Sequence, residues 1–136
     1  MNRQIVHDPL FLAMKSEPAT EADKQVMIDL LDTLRANLDR CVGMAANMIG
    51  VRKRIIVFVN GPIQMIMVNP KITSGTGEFE AEEGCLSLEG VRKTKRYQKI
   101  TVKYQDQAFR QRSGTFEGFT AQIIQHEIDH CDGILI

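Results

Sequence analysis

The sequence predicts an α+β fold in which antiparallel sheets pack around a buried helix near the carboxyl end. Three observations carry this prediction. An amphipathic pattern near the amino end has helical spacing, the middle of the chain contains short β-branched runs between turn residues, and an apolar segment of helical type lies near the carboxyl end. No repeat or linker-like segment divides the 136 residues, so we expect one domain over 1–136.

The first predicted element is a surface helix over about 21–38. Thr20, with Asp23 three residues later, resembles a capping arrangement at a helix start. Apolar residues then recur three and four positions apart, which places them on one face of a helix. They are Val26, Met27, Leu30, Leu31, Leu34 and Leu38. We expect this face to pack on the core and the opposite face to meet solvent.

The middle of the chain predicts an antiparallel sheet. Residues 55–59 form a β-branched and aromatic run that stops at Asn60-Gly61-Pro62, and residues 65–68 form a second run that ends at Asn69-Pro70. The short turn between these runs indicates a hairpin. Residues 100–104 alternate apolar and polar side chains, and residues 114–118 have glycine at both ends, so each is expected to be a further strand.

The last predicted element is a helix over about 120–130, with Gly133 as its stop signal. Its apolar residues do not share one face, which is typical of a buried helix. They are Ala121, Ile123, Ile124 and Ile128. We expect this helix to pack on the sheet.

The charge balance argues against whole classes of partner. The chain has 17 basic and 17 acidic side chains, so no overall field draws it toward nucleic acid or an anionic membrane. No segment resembles a signal peptide or reaches the roughly 20 apolar residues of a membrane span, and we expect a cytoplasmic protein. Three cysteines, an odd number in a reducing compartment, make a disulfide framework unexpected.

The sequence His126-Glu127-Ile128-Asp129-His130 carries the strongest chemical signal. Positions four apart share a helix face, so both imidazoles can reach one metal ion with Glu127 close beside it. The alternative is a chance spacing on a solvated helix. The apolar surroundings favour the metal, because burying two unpartnered histidines would cost about 1–3 kcal/mol for each polar group.

Cys85 is the candidate for a third metal ligand. Gly84 before it permits an unusual backbone turn, and a thiolate binds Fe²⁺ or Zn²⁺ well. The alternative for Cys85 is a small buried hydrophobe, the commoner fate of a free cysteine. Cys131 faces about 100° away from His130 on a helix, so we interpret it, like Cys41, as a packing residue.

Three protein ligands would leave one metal position for water, as in catalytic zinc sites. Glu127 could take a proton from that water and pass it to a leaving amine. The arrangement therefore predicts hydrolysis of an amide-like carbonyl. Asp129 is expected to face away and to hold a supporting partner or the neighbouring strand, with no catalytic role.

Three segments together resemble the signature motifs of the peptide deformylase family. The first is Glu83-Gly84-Cys85-Leu86-Ser87, and the second runs from Gln125 to His130 and continues through residues 132–135. The third, residues 41–50, is similar to the family loop Gly-x-Gly-aliphatic-Ala-Ala-x-Gln-x-Gly. The resemblance spans almost the whole chain and implies a peptide deformylase-like fold.

The resemblance implies removal of the N-formyl group from the initiator methionine of new polypeptides. It implies one divalent metal on Cys85, His126 and His130, with Fe²⁺ expected in the cell and Zn²⁺, Ni²⁺ or Co²⁺ in preparations. Glu127 would then be the general acid and base, and the backbone N–H of Leu86 would stabilise the oxyanion. The partner would be a formylated nascent peptide, with transient ribosome contact.

The same resemblance implies a binding groove beside the residues of the third segment. The nascent peptide would lie alongside a strand, with main-chain contacts from Val42 and Gly43 and an apolar pocket for the methionine side chain. Met48 stands where the family has a glutamine that donates to the formyl oxygen, and a thioether cannot donate. Cys41 replaces the loop's first glycine, which is expected to narrow the approach to the peptide.

Met48 leaves other functions open. The chain could act weakly, or on a different N-acyl substrate, or it could be a peptide-binding module whose metal is structural. An ordinary endoprotease is disfavoured, because that class more often completes its zinc site with a histidine or a glutamate than with a cysteine.

Two further segments carry expectations of their own. For the basic residues 92–96 we favour a solvated loop over contact with a ribosomal or peptide carboxylate. The chain ends six residues after His130, where many family members continue, and surface that such an extension covers is expected to be exposed or used in self-association.

Overall fold

A computed structural model describes all of residues 1–136. The helices are α1 (Pro9–Leu12), α2 (Lys24–Ala36) and α3 (Gly118–Cys131). The strands are β1 (Gly43–Ala45), β2 (Ile55–Asn60), β3 (Ile63–Gly84), β4 (Val91–Gln105) and β5 (Gln111–Glu117). Two short 3₁₀ turns, Glu21–Asp23 and Ala46–Ile49, complete the regular structure.

The five strands form one sheet in the order β1-β2-β3-β4-β5, with every neighbouring pair antiparallel. The hairpin predicted around Asn60-Gly61-Pro62 is confirmed, since β2 and β3 pair from Asn60 and Ile63 outward. The predicted α+β class and the buried helix near the carboxyl end are also confirmed.

Strand β2 is buried on both faces, and this makes the fold layered. Ile55 and Val57 pack in one core cluster with the apolar face of α2. Ile56 and Phe58, which point the other way along the strand, pack in a second cluster with α3. The continuous apolar run of β2 follows from its position between two helices.

Helix α2 is the helix predicted over about 21–38, but it is shorter at both ends. Thr20 and Asp23 form the predicted capping box, in which Asp23 Oδ2 accepts the Thr20 N–H at 2.8 Å. The α-helix itself ends at Ala36, because the Asn37 side chain donates to the Thr33 carbonyl at 2.7 Å. Leu38 lies beyond that end and is 42% exposed.

The expected end of the second run at Asn69-Pro70 is wrong, because β3 continues to Gly84. The turn signals produce shifts in register with β4 between Val68 and Lys71 and again before Ser74. Asn69 adopts a positive φ of 50°, and its amide group bonds with both the N–H and the carbonyl of Ala19. The polar side chain stabilises an irregularity within the strand instead of a strand end.

The basic residues 92–96 are not a loop, contrary to our expectation. They lie in β4 opposite an acidic stretch of β3, where Glu83 pairs with Arg92, Glu82 with Lys93, and Glu80 with Lys95. Opposite charges across an antiparallel pair favour this register. Arg96 is not solvated at all, since only 4% of its surface is exposed.

Helix α3 begins two residues earlier than predicted and ends one later, at Cys131. Gln125 fastens it to β4, accepting the Tyr97 N–H at 2.8 Å and donating to the Tyr97 carbonyl at 2.9 Å. This helix carries most of the predicted chemical residues, so its burial against the sheet positions the site. None of the helices is both long and apolar enough to cross a membrane.

Substitution of Gly133 by alanine should destabilise the protein more than the same change at Gly61. Both have positive φ, 75° and 60°, and alanine in that region costs about 1–2 kcal/mol. A Cβ at Gly133 would also meet the Ala13 carbonyl oxygen at 2.5 Å, whereas nothing lies within 4 Å at Gly61. We expect a loss of about 3 kcal/mol for Gly133→Ala, measured by urea unfolding. Equal losses for the two variants would contradict the packing argument.

Candidate functional site

The site is built on the buried face of α3, where His126 and His130 lie one turn apart. Their Nε2 atoms face each other at 3.2 Å, and the ring centroids are 4.9 Å apart. His130 is fully buried and His126 nearly so. The predicted convergence of the two imidazoles on one point is therefore present.

Cys85 reaches the same point from the segment that follows β3. Its Sγ lies 3.3 Å from His130 Nε2 and accepts the Ser87 N–H at 3.4 Å. The ligand atoms of Cys85, His126 and His130 all lie within 4.8 Å of one another. Cys131 is fully buried among apolar residues, in agreement with its interpretation as packing.

These three side chains fit a divalent metal ion. Ligands held about 2.0–2.3 Å from a tetrahedral ion are separated by about 3.3–3.6 Å, close to the two measured separations. A thiolate with two imidazoles suits Fe²⁺, Zn²⁺ and similar ions. His130 Nδ1 is buried without a hydrogen-bond partner, so the polar contacts of that ring are concentrated at Nε2.

Glu83 supports His126 from behind. Its Oε1 accepts a hydrogen bond from His126 Nδ1 at 2.9 Å, which leaves the Nε2 lone pair directed at Cys85 and His130. Burial opposes ionisation of Glu83, but hydrogen bonds from His126, Arg96 and Gln122 outweigh it and lower the pKa of the carboxyl to about 2. Glu83 is therefore a buried anion.

Arg96 balances that buried charge from β4. Its Nη2 lies 2.7 Å from Glu83 Oε1, and its Nη1 donates to Asp129 Oδ2 at 2.7 Å. Asp129 thus faces away from the metal ligands and holds the neighbouring strand, as the sequence predicted. The roles of Glu83, Arg96 and Gln122 were not assigned from the sequence. The sequence feature that could have identified Arg96 was the acidic stretch that ends at Glu83, because acidic and basic residues pair across neighbouring strands.

Glu127 lies beside the ligand cluster as a buried carboxyl. Burial raises its pKa to about 7, above the ordinary range of a glutamate. Its Oε1 has no hydrogen-bond partner within the chain. Glu127 is therefore a buried carboxyl with an unpaired oxygen, and a carboxyl in this state can accept or give a proton near neutrality.

Without a bound ion, the pKa values of His126 and His130 shift in opposite directions. Burial disfavours protonation of both rings. For His126 the neighbouring Cys85, Glu83 and Glu127 outweigh burial and raise the pKa. For His130, burial and the charge on His126 lower the pKa to about 3.

Residues 41–50 bring the third predicted segment against α3. Asn47 donates from Nδ2 to the His130 carbonyl at 3.0 Å and ties this segment to α3. A Cβ at Gly43 would lie 2.7 Å from Ile123 Cγ2 and 3.0 Å from Glu127 Oε2, so only glycine fits there without a shift. Met48 is 1% exposed, and its Sδ accepts the Ala45 N–H at 3.5 Å.

A pocket of about 530 Å³ opens over this cluster. Of the predicted site residues, Val42, Gly43, Cys85, Leu86, His126 and Glu127 line it. His130 and Met48 are buried and are not among the lining residues. Cys41, expected to narrow the approach, does line the pocket, and its thiol donates to the Gly43 carbonyl at 2.9 Å. Burial raises the pKa of that thiol to about 11.

Comparison with known proteins identifies the family. The model of the polypeptide deformylase family matches residues 3–136. The chain is 57% identical to the peptide deformylase of Clostridium beijerinckii over 136 residues, the full length of both. The chain belongs to the peptide deformylase family. A further relative, peptide deformylase 2 of Clostridium acetobutylicum, is 41% identical and is covered over 85% of its length.

Solved peptide deformylases share the fold. The Thermotoga maritima enzyme superimposes with a TM-score of 0.89 at 31% identity, with 99% of this chain and 95% of that chain covered. The Acinetobacter baumannii enzyme, solved with Met-Ala-Ser bound, gives 0.86 at 30% identity, with 99% and 97% covered. Peptide deformylases are metal-dependent hydrolases, and this member contains a group able to hold the metal.

Replacement of Arg96 by methionine should destabilise the protein, because it leaves the buried Glu83 and the partly buried Asp129 without their cation. Removing one partner of a buried ion pair costs about 3–5 kcal/mol. We expect about 3 kcal/mol for Arg96→Met in urea unfolding of the metal-free protein. Lys95→Met is the matched control, since Lys95 is exposed on the same strand and should change stability by less than about 0.5 kcal/mol. Equal unfolding midpoints would contradict the role assigned to Arg96.

Proposed function

We propose that this chain removes the N-formyl group from the N-terminal methionine of new polypeptides, with Cys85, His126 and His130 as ligands of one divalent metal ion. The observation that carries this proposal is the meeting of three ligand atoms with the unpaired, buried carboxyl of Glu127 at the base of one pocket. Family membership supplies the reaction class. In this proposal a single catalytic domain, residues 1–136, carries out the reaction.

A divalent ion held by Cys85, His126 and His130 would polarise the formyl carbonyl and lower the pKa of a water molecule, so that hydroxide would be available as the nucleophile near neutral pH. Glu127 acts as the proton carrier. It takes the proton of the attacking water on its free Oε1 and returns it to the nitrogen of the leaving amine. The C–N bond to the methionine nitrogen breaks, so formate and a peptide with a free amino group are the products.

Two main-chain positions serve the substrate. The N–H of Leu86, next to the ligand Cys85, donates to the formyl oxygen as negative charge develops on it. Val42 uses its carbonyl to accept the Val59 N–H at 2.8 Å, while its own N–H has no partner within the chain. We assign that free N–H to the peptide backbone, which extends alongside β1 as an added strand. Gly43 lets the peptide come close to Glu127, because no side chain intervenes.

The apolar part of the pocket accepts the methionine side chain. The hydrophobic residues among its lining are Cys41, Val42, Cys85, Leu86, Phe119 and Ile123. A side chain of methionine's flexibility fills an irregular apolar space well. Phe119 is 64% exposed and Val42 is 40% exposed, so bound substrate would cover apolar surface that otherwise meets water.

Met48 favours a second candidate, a slow deformylase or a hydrolase for a different N-acyl group. Its thioether accepts the Ala45 N–H and has no hydrogen to give to a substrate carbonyl. Loss of one oxyanion donor costs about 10²–10³ in rate. A purely structural metal in a peptide-binding module is the weaker alternative, because it gives no account of a buried carboxyl left unpaired beside the ligands.

The cellular setting belongs to the same proposal. Fe²⁺ is the ion we expect in the cell, with Zn²⁺, Ni²⁺ or Co²⁺ able to replace it in preparations. The substrate is made on the ribosome, so a cytoplasmic location and transient ribosome contact are proposed with it.

Substitution of Glu127 by glutamine should abolish turnover of formyl-Met-Ala-Ser while the metal stays bound. Glutamine keeps the size of the side chain but cannot carry the proton, and general acid–base catalysis contributes about 10²–10⁴-fold. The assay is formate release by anaerobic, Fe²⁺-loaded protein, with metal content measured on the same sample. Glu82→Gln, at an exposed pocket residue, is the matched control and should retain turnover. Full activity in Glu127→Gln would refute the assigned role.

Substitution of Met48 by glutamine should raise kcat for formyl-Met-Ala-Ser by about 10²-fold, because it supplies the missing oxyanion donor. Met44→Leu is the matched control, since it changes another fully buried methionine of the same segment without adding a donor. Steady-state kinetics on both variants and the parent protein measure the effect. If Met48→Gln left the rate unchanged, Met48 would be excluded as the cause of slow turnover.

A further inference from the structure

Arg40 is a cation at the pocket for which the reaction has no use. Of the fourteen residues that line the pocket, it is the one lysine or arginine. It is exposed, and it directly precedes the segment that carries Val42 and Gly43. Each of the other charged groups in the lining either belongs to the reaction or lies on the β3 side of the pocket.

The guanidinium of Arg40 is oriented but has no anionic partner. Asn37 Oδ1 accepts from its Nη2 at 2.8 Å and from its Nε at 3.2 Å. Asn37 is itself buried and fixed, because its Nδ2 donates to the Thr33 carbonyl. No carboxylate forms an ion pair with Arg40, while Glu83 is bound to Arg96. The remaining N–H groups of Arg40 are free to bind a ligand.

The position of Arg40 at the pocket determines which residues of a bound peptide its side chain can reach. Gly43 lies at Glu127, where the formyl group reacts. Gly43 follows Arg40 by three positions, and an extended chain spans at most about 3.3–3.6 Å per residue. A peptide running antiparallel to β1 leads away from Glu127 toward Arg40 and covers a similar distance per residue. Its second and third residues therefore come within reach of the long arginine side chain.

We propose that Arg40 selects formylated peptides that carry a carboxylate at the second or third residue. This inference rests on the proposed function and adds to it a class of preferred substrate. An arginine fork matches a carboxylate with two parallel hydrogen bonds. The carboxylate has two sources, an aspartate or glutamate side chain or the free end of a very short peptide. Amidated peptides separate the two sources.

The first experiment measures binding without turnover. Titration calorimetry on the Zn²⁺-loaded protein compares the deformylated peptides Met-Ala-Asp-amide with Met-Ala-Asn-amide, and Met-Asp-Ala-amide with Met-Asn-Ala-amide. We expect tighter binding of one aspartate peptide than of its asparagine partner by about threefold, the scale of a solvent-exposed ion pair. The preference should shrink as salt rises. Met-Ala-Asn with a free carboxyl end tests the terminal source.

Variants assign the preference to Arg40. In Arg40→Gln the aspartate-to-asparagine ratio should fall to about one, and Arg40→Lys should keep a smaller preference because it retains charge without the fork. Arg35→Gln is the matched control, since Arg35 is exposed on α2 outside the pocket and should keep the parent ratio. The second experiment repeats the ratios as kcat/KM on the formylated peptides with Fe²⁺-loaded protein.

The outcomes separate the two proposals. A carboxylate preference that disappears in Arg40→Gln supports the role of Arg40, and the amidated peptides show which carboxylate it binds. A ratio of one in the parent protein, or a preference that survives in Arg40→Gln, overturns it. Turnover without any preference retains the proposed function and overturns only the Arg40 inference. Binding preference without turnover of any formyl peptide supports Arg40 and contradicts deformylation.

Discussion

The buried carboxylate of Glu83 is the group on which the arrangement of the site depends. It joins three elements, since β3 supplies the carboxylate, β4 supplies Arg96, and α3 supplies His126 and Gln122. A buried charge is costly unless it is paired and hydrogen-bonded, and all of its partners must be in place at once. Because His126 donates from Nδ1, its Nε2 lone pair points at Cys85 and His130, the other candidate metal ligands. The sheet, the helix and the metal-binding geometry are therefore one cooperative unit.

Much of the site could be predicted because its information is local. A four-residue spacing places His126 and His130 on one helix face whatever surrounds them. The inward direction of the Arg96 side chain, by contrast, does not follow from local spacing. Residues 92–96 include four basic side chains, and the register against β3 places Arg92 opposite Glu83. Arg96, four positions further along β4, nevertheless makes the ion pair with Glu83. The same guanidinium also binds Asp129 of α3, 33 residues further along the chain, and a local pattern of basic residues does not reveal that partner.

The length of β3 escaped prediction for a related reason. Asn69-Pro70 is a typical turn signal, and in isolation a proline limits strand pairing. Here the side-chain amide of Asn69 forms hydrogen bonds with Ala19 and with Gln105. The polar side chain is therefore satisfied by neighbouring segments and does not require the strand to end. Pairing with β4 then resumes at Lys71. Ala19 and Gln105, which lie 50 and 36 residues away in the chain, thus turn a predicted strand end into an irregularity within β3.

In the proposed mechanism Met48 affects only one function of the site, because metal binding and oxyanion stabilisation would depend on different atoms. The segment that carries Met48 is tied to α3 by Asn47, which donates to the His130 carbonyl, and by the packing of Gly43 against Ile123. Neither contact involves the Met48 side chain, which belongs to the core cluster that Cys85 and Leu86 pack against. The three candidate metal ligands and the carboxyl of Glu127 can thus keep their positions with a methionine, which has no donor, at residue 48. A metal centre supported independently of this donor can remain intact while the rate, or the acyl group accepted, changes.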